Sequence, residues 1–353
     1  MKYLSYVFSP LCNLISNLFG YQLTYLVSND NWAVKQEGKN IIDDLNHQPL
    51  LRSRIALTPL FLAPQIIHFG SENIFFSRIG RDFPYPGQKL ILTWFHILPD
   101  KKRLELIKKI QNKFQFIHTT SLFTKNQLVQ GGVDEKRIIV IPLGVDTNLF
   151  HSVSVSRKKE IREKYDLPPD RLIIGSFQKD GVGWKEGLRP KLIKGPDIFI
   201  EVIKKLKKYR PFILLTGPAR GYVKQRLLEN DIEFKHFYPQ LNAEMCPLYQ
   251  MLDLYLITSR IEGGPKAIVE AMACGIPLVS TKVGMAADVI RNEENGMLAE
   301  IEDVAGLADL AEKIIRDGAL RKRLVKNGLE TIKKYDYSVT AREYYQKMYQ
   351  KLL

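Results

Sequence analysis

Two glutamates, Glu262 and Glu270, have the spacing of side chains that hold one elongated polar ligand. They are eight residues apart. A fully helical segment of that length would separate them by about 12 Å along its axis, whereas a retaining glycosidase holds its two carboxylates about 5 Å apart. The pair is therefore unsuited to glycoside hydrolysis. We expect Glu270 to accept hydrogen bonds from a ribose and Glu262 to face a sugar ring, with a salt-bridged surface helix as the alternative.

The residues between these glutamates favour an anion. Gly263 and Gly264 predict a tight turn, and Pro265 suits the first position of a helix. Glycines before a helix let a ligand approach free backbone N–H groups, and these groups together with the helix dipole favour a diphosphate. Lys266 adds positive charge in the first helical turn. The segment therefore predicts a diphosphate site.

Short apolar runs alternate with amphipathic stretches along the chain, a pattern typical of parallel sheets flanked by helices. The predicted strands are 21–28, 54–57, 65–70, 89–96, 116–121, 138–143, 171–177, 211–217, 232–237, 252–259 and 276–281. The predicted helices are 11–19, 33–46, 100–114, 123–130, 157–170, 195–208, 221–229, 243–250, 265–274 and 305–316. The fold class is therefore α/β, with two Rossmann-like, doubly wound parallel-sheet domains. Two such domains facing each other form a cleft at the carboxyl ends of their strands, where ligands bind.

Composition excludes several classes of protein. The 353 residues carry a formal net charge of +14, of which +6 falls in residues 1–150. No zinc finger or RNP-like aromatic motif accompanies this charge, so no nucleic-acid partner is predicted. The three cysteines, Cys12, Cys246 and Cys274, are odd in number and widely spaced. They predict neither a zinc site nor a disulfide framework, and they favour a reducing compartment.

The segment Tyr3–Asn29 has no charged side chain. Pro10 and several polar residues interrupt its apolar run, and polar groups are costly in lipid. We therefore expect a short helix and a buried strand here, rather than a membrane span or a signal peptide. Contact between residues 1–20 and a membrane surface stays open.

The segment Ser259–Thr281, SRIEGGPKAIVEAMACGIPLVST, resembles the E-x7-E motif of family 4 retaining glycosyltransferases (glycosyl transferases group 1). Three further segments resemble the family's interdomain signature, its KG-containing helix start and the part that follows its second glutamate: 138–150, 193–203 and 283–298. The resemblance covers about 138–300 well and the N-terminal domain weakly. It implies a GT-B architecture, in which both domains face a cleft.

The GT-B resemblance gives each part of the chain an expected role. Residues 1–150 would form the acceptor-side domain, 151–170 a linker, and 171–335 the domain that binds the nucleotide-sugar donor. Residues 336–353 would form a C-terminal helix that returns toward the first domain.

The resemblance also implies roles for individual residues. Glu270 would bind the nucleotide ribose, and Glu262 would approach the donor sugar near the reacting centre. Lys194 would bind the diphosphate and stabilise its charge as it leaves. His96, in LTWFHILPD, would face the donor sugar, with an ordinary structural histidine as the alternative.

Two glycine-containing segments are further candidates for donor contacts. Gly284 and Met285 follow a predicted strand, where their backbone amides could approach the donor. Arg220, in the loop GPARGY, has a planar guanidinium that suits bidentate contact with a phosphate. The alternative for Arg220 is a solvated side chain in a helix-capping turn.

The sequence departs from the family pattern at Ser176, where an arginine commonly follows the strand's glycine. Lys179, Arg189 and Lys191 lie in the longer segment that follows and could replace this charge; of these we favour Lys179. The family's glycine-rich first loop is also missing, because residues 29–32 read Asn-Asp-Asn-Trp. This second departure concerns the acceptor side.

The segment 99–114 predicts an amphipathic helix with lysines on its outer face. Family members with lipid-linked acceptors often contact anionic membranes through such a face. A helix that is simply solvated is the alternative.

Taken with the resemblance, the sequence predicts transfer of a glycosyl group from a nucleoside diphosphate sugar to a hydroxyl of a glycan, a lipid-linked acceptor or a small molecule. Retention of configuration and independence of metals and other cofactors are implied by the family. We expect a cytoplasmic protein, in peripheral contact with the inner face of the cell membrane if the basic helix binds lipid. The alternatives are a non-catalytic nucleotide-sugar or glycan-binding protein and a nucleotide-sugar epimerase.

Overall fold

A computed structural model describes residues 2–28, 33–63, 65–76, 87–98, 102–239 and 241–353. The chain divides into two compact units, one of Met1–Gly144 with Lys334–Leu353 and one of Val145–Lys333. The expected linker, 151–170, includes a regular helix that belongs to the second unit. Arg162 in this helix donates hydrogen bonds to the carbonyl of Met251, which explains why the segment packs on that unit.

The strands of the first unit are β1 (Leu23–Leu26), β2 (Ser53–Ala56), β3 (Ile66–Phe69), β4 (Lys89–Thr93), β5 (Phe116–Thr119) and β6 (Ile138–Val140). Those of the second are β7 (Ile173–Phe177), β8 (Phe212–Thr216), β9 (Phe234–Phe237), β10 (Leu254–Ile257), β11 (Leu278–Thr281) and β12 (Met297–Ala299). All pairs are parallel, which confirms the predicted fold class.

The helices are α1 (Lys2–Ser16), α2 (Ala33–His47), α3 (Glu72–Phe75), α4 (Lys102–Ile110), α5 (Leu122–Gln130), α6 (Val155–Lys164), α7 (Pro196–Lys205), α8 (Gly221–Glu229), α9 (Met245–Gln250), α10 (Ala267–Ala273), α11 (Ala286–Val289), α12 (Val304–Arg316), α13 (Gly318–Ile332) and α14 (Tyr337–Tyr344). The predictions missed α3, α11, α13 and strand β12. Three of these four elements have only three or four residues, too few to show a periodic pattern.

The first sheet has the order β2-β1-β3-β4-β5-β6 and an apolar core on each face. Successive residues of a strand point to opposite faces. In β1, Leu23 and Tyr25 accordingly lie in one core and Leu26 in the other. Burial on both faces explains why these strands read as continuous apolar runs.

Residues 334–353 complete one of these two cores. After α14 the chain continues as a π-helix, Tyr345–Tyr349, and a 3₁₀-helix, Gln350–Leu352. Tyr344, Met348 and Tyr349 are buried in the same cluster as Tyr25. The segment is therefore an integral part of the first unit.

Two buried histidines connect residues 334–353 to the first sheet. The ring of His68 is 2.7 Å (Nδ1) from the Tyr349 hydroxyl and 2.8 Å (Nε2) from the Thr93 hydroxyl. His118 lies 3.0 Å from the same threonine and donates through Nε2 to the carbonyl of Ile141 at 2.9 Å. Burial lowers the pKa of His118 to about 4 and that of His68 well below its usual value.

Helix α1 extends further toward the N-terminus than the predicted helix 11–19. It begins at Lys2, and a 3₁₀-helix, Asn17–Phe19, follows it. Within the described parts of the chain, no helix has the length and apolar character needed to cross a membrane.

The second sheet has the order β9-β8-β7-β10-β11-β12. The chain builds β7, β8 and β9 toward one edge and then returns to place β10 on the other side of β7. Such a reversal opens a crevice beyond the carboxyl ends of the two central strands, the preferred ligand position in open α/β sheets. These strands end at Phe177 and Ile257. The residues that follow them therefore form the candidate site of this unit.

Candidate functional site

The turn before α7 brings Lys194 to the end of β10. Gly195 adopts a left-handed conformation (φ +61°), and a Cβ atom there would lie 1.9 Å from the carbonyl oxygen of Thr258. Arg260 and Ile261 both donate backbone hydrogen bonds to the carbonyl of Ile193, at 2.9 and 3.0 Å. Only glycine permits this close backbone approach. The Lys-Gly pair is therefore fixed against the loop that carries Glu262.

Lys194 and Glu262 form an ion pair at the centre of the site. The Lys194 Nζ atom lies 2.5 Å from Glu262 Oε1, and the Ser259 hydroxyl donates to the same oxygen at 3.0 Å. The two side chains keep 20% and 13% of their surface exposed, respectively. The pair is thus ordered by its neighbours and still accessible to a ligand.

The backbone at Gly284 and Met285 packs against Gly263. Met285 donates from its backbone N–H to the Gly263 carbonyl at 3.0 Å. Gly284 has φ +51°, and a Cβ atom there would lie 2.3 Å from the same carbonyl oxygen. Gly264, Pro265 and Lys266 follow, and α10 begins at Ala267, two residues later than predicted.

Glu270 lies in the first turn of α10 and is buried. The hydroxyl of Tyr249 donates to its Oε2 atom at 2.8 Å. Burial, and then the charge of Glu270, raises the pKa of Tyr249 well above its usual value, so the phenol stays protonated and remains a donor. Tyr249 could not be identified as a site residue from the sequence, because an aromatic residue in a short helix has the same pattern as a core residue.

Two further lysines share the electrostatic environment of the Lys194–Glu262 pair. Burial lowers the pKa of Lys191, the charges of Lys194 and Lys179 lower it further, and Glu262 raises it. Burial also lowers the pKa of Lys179, whose Nζ atom lies 3.7 Å from the ring centroid of Trp184. Three ammonium groups and one interacting carboxylate make a site that favours an anion.

Arg220 differs from both sequence interpretations. Its side chain is fully buried, with Nε 3.0 Å from Oδ1 of the equally buried Asp180. Its Nη1 atom donates to the carbonyls of Ser176 and Thr216 at 2.6 and 2.9 Å. Burial raises the pKa of Asp180, and the Arg220 charge opposes that shift. In this arrangement the guanidinium is neither solvated nor presented to a ligand.

His96 belongs to the first unit. The strand predicted for 89–96 ends at Thr93, so His96 lies in an irregular segment beyond β4. The ring is half-buried, and the backbone carbonyl of His96 accepts a hydrogen bond from Trp94 Nε1 at 3.2 Å. The predicted strand was too long because the buried Trp94 continues the apolar run past the last ladder residue.

The second unit matches a known protein family. Residues 188–331 match the family described as "Glycosyl transferases group 1". The matched range includes Lys194, Glu262 and Glu270. It covers most of the second unit and ends two residues before that unit does.

Two curated relatives illustrate the chain's similarities. A D-inositol 3-phosphate glycosyltransferase of Xylanimonas cellulosilytica is 26% identical over 221 residues, which cover 60% of this chain and 50% of the relative. An N,N'-diacetylbacillosaminyl-diphospho-undecaprenol alpha-1,3-N-acetylgalactosaminyltransferase of Campylobacter jejuni is 25% identical, with 69% of this chain and 62% of the relative covered. The chain thus spans only 50–62% of the length of these relatives.

The fold is similar to that of the crystal structure of Anabaena HepE in complex with UDP-glucose. The TM-score is 0.76, and the match covers 94% of this chain and 100% of that chain. Sequence identity over the match is 18%, so the similarity concerns the fold.

Proposed function

We propose that this chain, whose residues 188–331 match the glycosyl transferases group 1 family and whose fold is similar to that of the HepE structure, transfers a glycosyl group from a nucleoside diphosphate sugar to a hydroxyl group of an acceptor. The observation that carries the proposal is the Lys194–Glu262 pair at the reversal of the second sheet, with Lys191 and Lys179 in the same electrostatic environment. The geometry suits a ligand that carries both a diphosphate and a polyhydroxylated ring.

We assign the donor's parts to the side chains of the second unit. Lys194 binds the diphosphate and stabilises the negative charge that develops on it as the glycosidic bond breaks, because a preorganised cation needs no reorganisation at that moment. Glu262 faces the donor sugar, and its ion pair with Lys194 holds the ammonium and the carboxylate in fixed relative positions. Glu270, oriented by the Tyr249 hydroxyl, accepts hydrogen bonds from the ribose diol.

The backbone at Gly284 completes the proposed donor site, whereas the N–H of Met285 donates to the Gly263 carbonyl and holds the loop that carries Glu262. Gly264 has no side chain that would keep the ligand from the backbone, and Lys266 adds charge at the start of α10. UDP-sugars are the first donors to test, because the similar HepE structure holds UDP-glucose. We further propose that configuration is retained and that His96 contacts the donor sugar.

The proposed reaction uses lysine ammonium groups where other transferases use a bound metal ion. Lys194 and its neighbours supply the positive charge that a diphosphate leaving group requires. Activity should therefore persist in excess EDTA. A loss of activity that added Mg²⁺ or Mn²⁺ restores would contradict this part of the proposal.

A thermal-shift screen against UDP, GDP, ADP and their common sugar conjugates tests the donor site. We expect one nucleotide family to raise the unfolding temperature, and we expect Glu270→Ala to abolish that rise. If no nucleotide shifts a well-folded sample, a non-catalytic protein becomes the better interpretation. Donor consumption that does not depend on an acceptor would instead favour an epimerase.

The acceptor side is proposed to contact an anionic membrane through the end of α1 and the 3₁₀-helix after it, because two polar side chains of this segment, Asn13 and Asn17, face the protein. Asn13 is buried and donates to the carbonyls of Thr58 and Leu60 at 2.9 and 2.8 Å, and Asn17 donates to that of Phe61 at 2.8 Å. Five large apolar side chains are 50–86% exposed here, Leu11, Leu14, Ile15, Leu18 and Phe19, and Cys12 between them is exposed as well.

Charge favours lipid as the occupant of this apolar surface. The exposed Arg52 lies beside Gly20 at its edge, and Tyr3–Asn29 contains no acidic residue. An interfacial helix combines such an apolar face with nearby cations. The lysine-rich face of α4 would add attraction to anionic headgroups. The similar N-acetylgalactosaminyltransferase, whose name includes diphospho-undecaprenol, supports a lipid-linked acceptor as one candidate beside glycans and small molecules.

Vesicle co-sedimentation tests the membrane contact. We expect binding to phosphatidylcholine vesicles that contain phosphatidylglycerol, and loss of that binding in Leu14→Asp/Leu18→Asp. Leu228→Asp, at a site 68% exposed on α8, is the matched control and should bind like the unaltered chain. Absence of binding to anionic vesicles would rule out this contact, and self-association through the surface would appear in light scattering.

A further inference from the structure

A hairpin-like loop follows β7 and carries two of the candidate cations at its ends. Gly181 and Pro190 form an antiparallel bridge. Val182 donates from its backbone N–H to the carbonyl of Arg189 at 2.8 Å, and Lys191 donates to that of Asp180 at 2.7 Å. Lys179 and Lys191 therefore stand at the two ends of one structured loop, which we name the 179–191 hairpin.

The base of the 179–191 hairpin is held rigidly. Cβ atoms added at Gly181 and Gly187 would lie 2.2 and 2.4 Å from the carbonyl oxygen of Ala219, so backbone packs directly on backbone. The N–H of Gly221 donates to the carbonyl of Glu186 at 2.6 Å. The buried Asp180–Arg220 ion pair joins the same two segments. Arg220 is thus used to fix the hairpin.

The tip of the hairpin exposes an aromatic ring that holds a cation. Trp184 is 60% exposed, although a tryptophan without a binding role is usually buried. The Lys179 ammonium lies 3.7 Å from its ring centroid, a cation–π distance. This contact restricts a long flexible side chain to one place.

That place is close to the proposed diphosphate site. The Gln178 side chain donates to the Lys194 carbonyl at 3.0 Å, and the Lys194 N–H donates to the Lys191 carbonyl at 2.8 Å, so the backbone next to Lys179 packs on the turn that carries Lys194. In addition to burial, the charges of Lys194 and Lys179 lower the pKa of Lys191, and that of Glu262 raises it. A cation–π contact at an exposed ring is weaker than a charge-assisted hydrogen bond to a phosphate. A diphosphate bound at Lys194 can therefore compete with the ring for the Lys179 ammonium.

We propose that Trp184 is a positioning residue that holds Lys179 ready for the donor diphosphate, and that the bound diphosphate draws the ammonium away from the ring. The inference rests on the proposed function, because it places the same diphosphate beside Lys194. Lys179 then supplies a third ammonium group beside those of Lys194 and Lys191. Because Trp184 already restricts the Lys179 side chain, less conformational entropy is lost when the ligand binds.

Indole fluorescence gives this exchange a direct signal. Trp94 is buried in the first unit, while Trp184 is exposed and loses its ammonium neighbour when the ligand binds. We expect the emission to change with saturation as UDP or inorganic pyrophosphate is added, and much less with uridine, which has no phosphate. The signal should be absent in Trp184→Phe.

Calorimetry on the same proteins separates positioning from folding. We expect Lys179→Gln to weaken UDP binding about tenfold and Trp184→Phe to weaken it several-fold, the latter as a higher donor KM with an unchanged kcat. Lys185→Gln, on the same hairpin and exposed, is the matched control and should bind like the unaltered chain. All variants should keep the unfolding temperature of the unaltered chain without ligand.

Two results would overturn the inference in different ways. If the unaltered chain binds UDP while Lys179→Gln and Trp184→Phe bind it equally well, the hairpin has no part in holding the donor and the proposed function stands. If UDP, GDP, ADP and pyrophosphate all fail to bind the unaltered chain, both the hairpin inference and the proposed donor site are wrong.

Discussion

Three charged side chains of the site are each in contact with a neighbour that has no charge of its own. Ser259 donates to Glu262, Tyr249 donates to Glu270, and Trp184 stacks on Lys179. A carboxylate or ammonium on a long side chain has several rotamers, and ordering it costs conformational entropy when a ligand binds. Because these neighbours order the charged side chains before a ligand binds, they lower that entropy cost and increase the affinity.

We expect Tyr249→Phe to raise the donor KM about three- to tenfold with little change in kcat, because one hydrogen bond contributes about 1 kcal/mol net. Initial rates over a range of donor concentrations measure both constants. Tyr209→Phe is a matched control, since the Tyr209 hydroxyl also donates to a carboxylate, Glu312, at 2.7 Å and outside the site. Equal KM values for the two variants would show that Tyr249 does not position Glu270.

At the scale of single elements, a turn and a buried histidine pair fix the positions of functional and structural segments. The turn at Gly195 fixes the position of Lys194 through direct contact with Thr258. The histidines fix the position of residues 334–353 on the first sheet. The Gly195 turn leaves no space for an added atom, and burial of the two histidines disfavours an added charge.

Gly195→Ala should lower activity at least tenfold and also destabilise the second unit. A left-handed φ costs a non-glycine residue roughly 1–2 kcal/mol, and the added Cβ atom must displace the Thr258 carbonyl that lies 1.9 Å away. Gly20→Ala isolates the first cost, because Gly20 has φ +63° with its nearest neighbouring atom 3.9 Å away. Rates and denaturant unfolding measure the two effects. Similar losses in both variants would mean that the contact with Thr258 is unimportant.

The first unit should lose stability as the pH falls from 6.5 toward 5. The folded-state pKa values of His68 and His118 lie below the ordinary value, so the unfolded chain binds more protons in this range. Stability is therefore fully present above pH 6.5 and falls by about 1.4 kcal/mol per pH unit for each histidine. Amide exchange of β3 and β5 at several pH values measures this slope.

His118→Gln should reduce that slope by about half, because one of the two histidines no longer titrates. His151→Gln, at an exposed position, is the control and should leave the slope unchanged. Stability that is independent of pH between 6.5 and 5 in the unaltered chain would contradict the predicted effect of burial on these rings.

At the scale of the whole molecule, the first unit is built from two separate stretches of chain. The chain leaves it at Gly144 and rejoins it at Lys334. Between these points lies a complete second sheet with its own core. The fold of residues 1–144 therefore depends on a segment that is distant in sequence.

Deletion of residues 334–353 should unfold the first unit and leave the second folded. The deleted segment contributes five buried apolar side chains, Tyr337, Ala341, Tyr344, Met348 and Tyr349. A fully buried large apolar side chain contributes about 1.5–3 kcal/mol, so the combined loss rivals a typical domain stability of about 5–15 kcal/mol.

Amide exchange measures this deletion segment by segment. We expect protection to be lost in β1–β6 and kept in β7–β12. Deletion of residues 350–353 alone removes no buried side chain and is the control. Persistent protection of the first sheet without residues 334–353 would contradict the expected dependence.

The elements of the fold follow from the sequence more readily than the contacts of its side chains do. Eleven of the twelve strands in the described residues were located, because a buried parallel strand is a continuous apolar run in the sequence. The placement of Lys194 and Glu262 at one donor site was implied only by family resemblance, and their ion pair was not predicted. The burial of Arg220 and the stacking of Lys179 on Trp184 were missed, since each depends on contacts that local patterns do not record.

Helix α1 shows the same limit in another form. Its composition indicated a short uncharged helix, but its orientation follows from Asn13 and Asn17, whose amides pair with the loop after β2. An isolated sequence predicts which face of a helix is polar. Which face packs against the protein depends on backbone carbonyls in another part of the fold, which need hydrogen-bond donors once they are buried.

Because the first unit consists of two stretches of chain, its two parts are synthesised at different times. A ribosome makes the chain from its N-terminus, and residue 334 follows residue 144 by roughly 10–40 s at about 5–20 residues per second. During that interval the first sheet exists without residues 334–353, with the surface that later contacts Tyr344 and Met348 open to solvent. Residues 1–144 are therefore synthesised first but complete their fold last. Chaperones that bind exposed apolar surface would bind the first sheet during this interval.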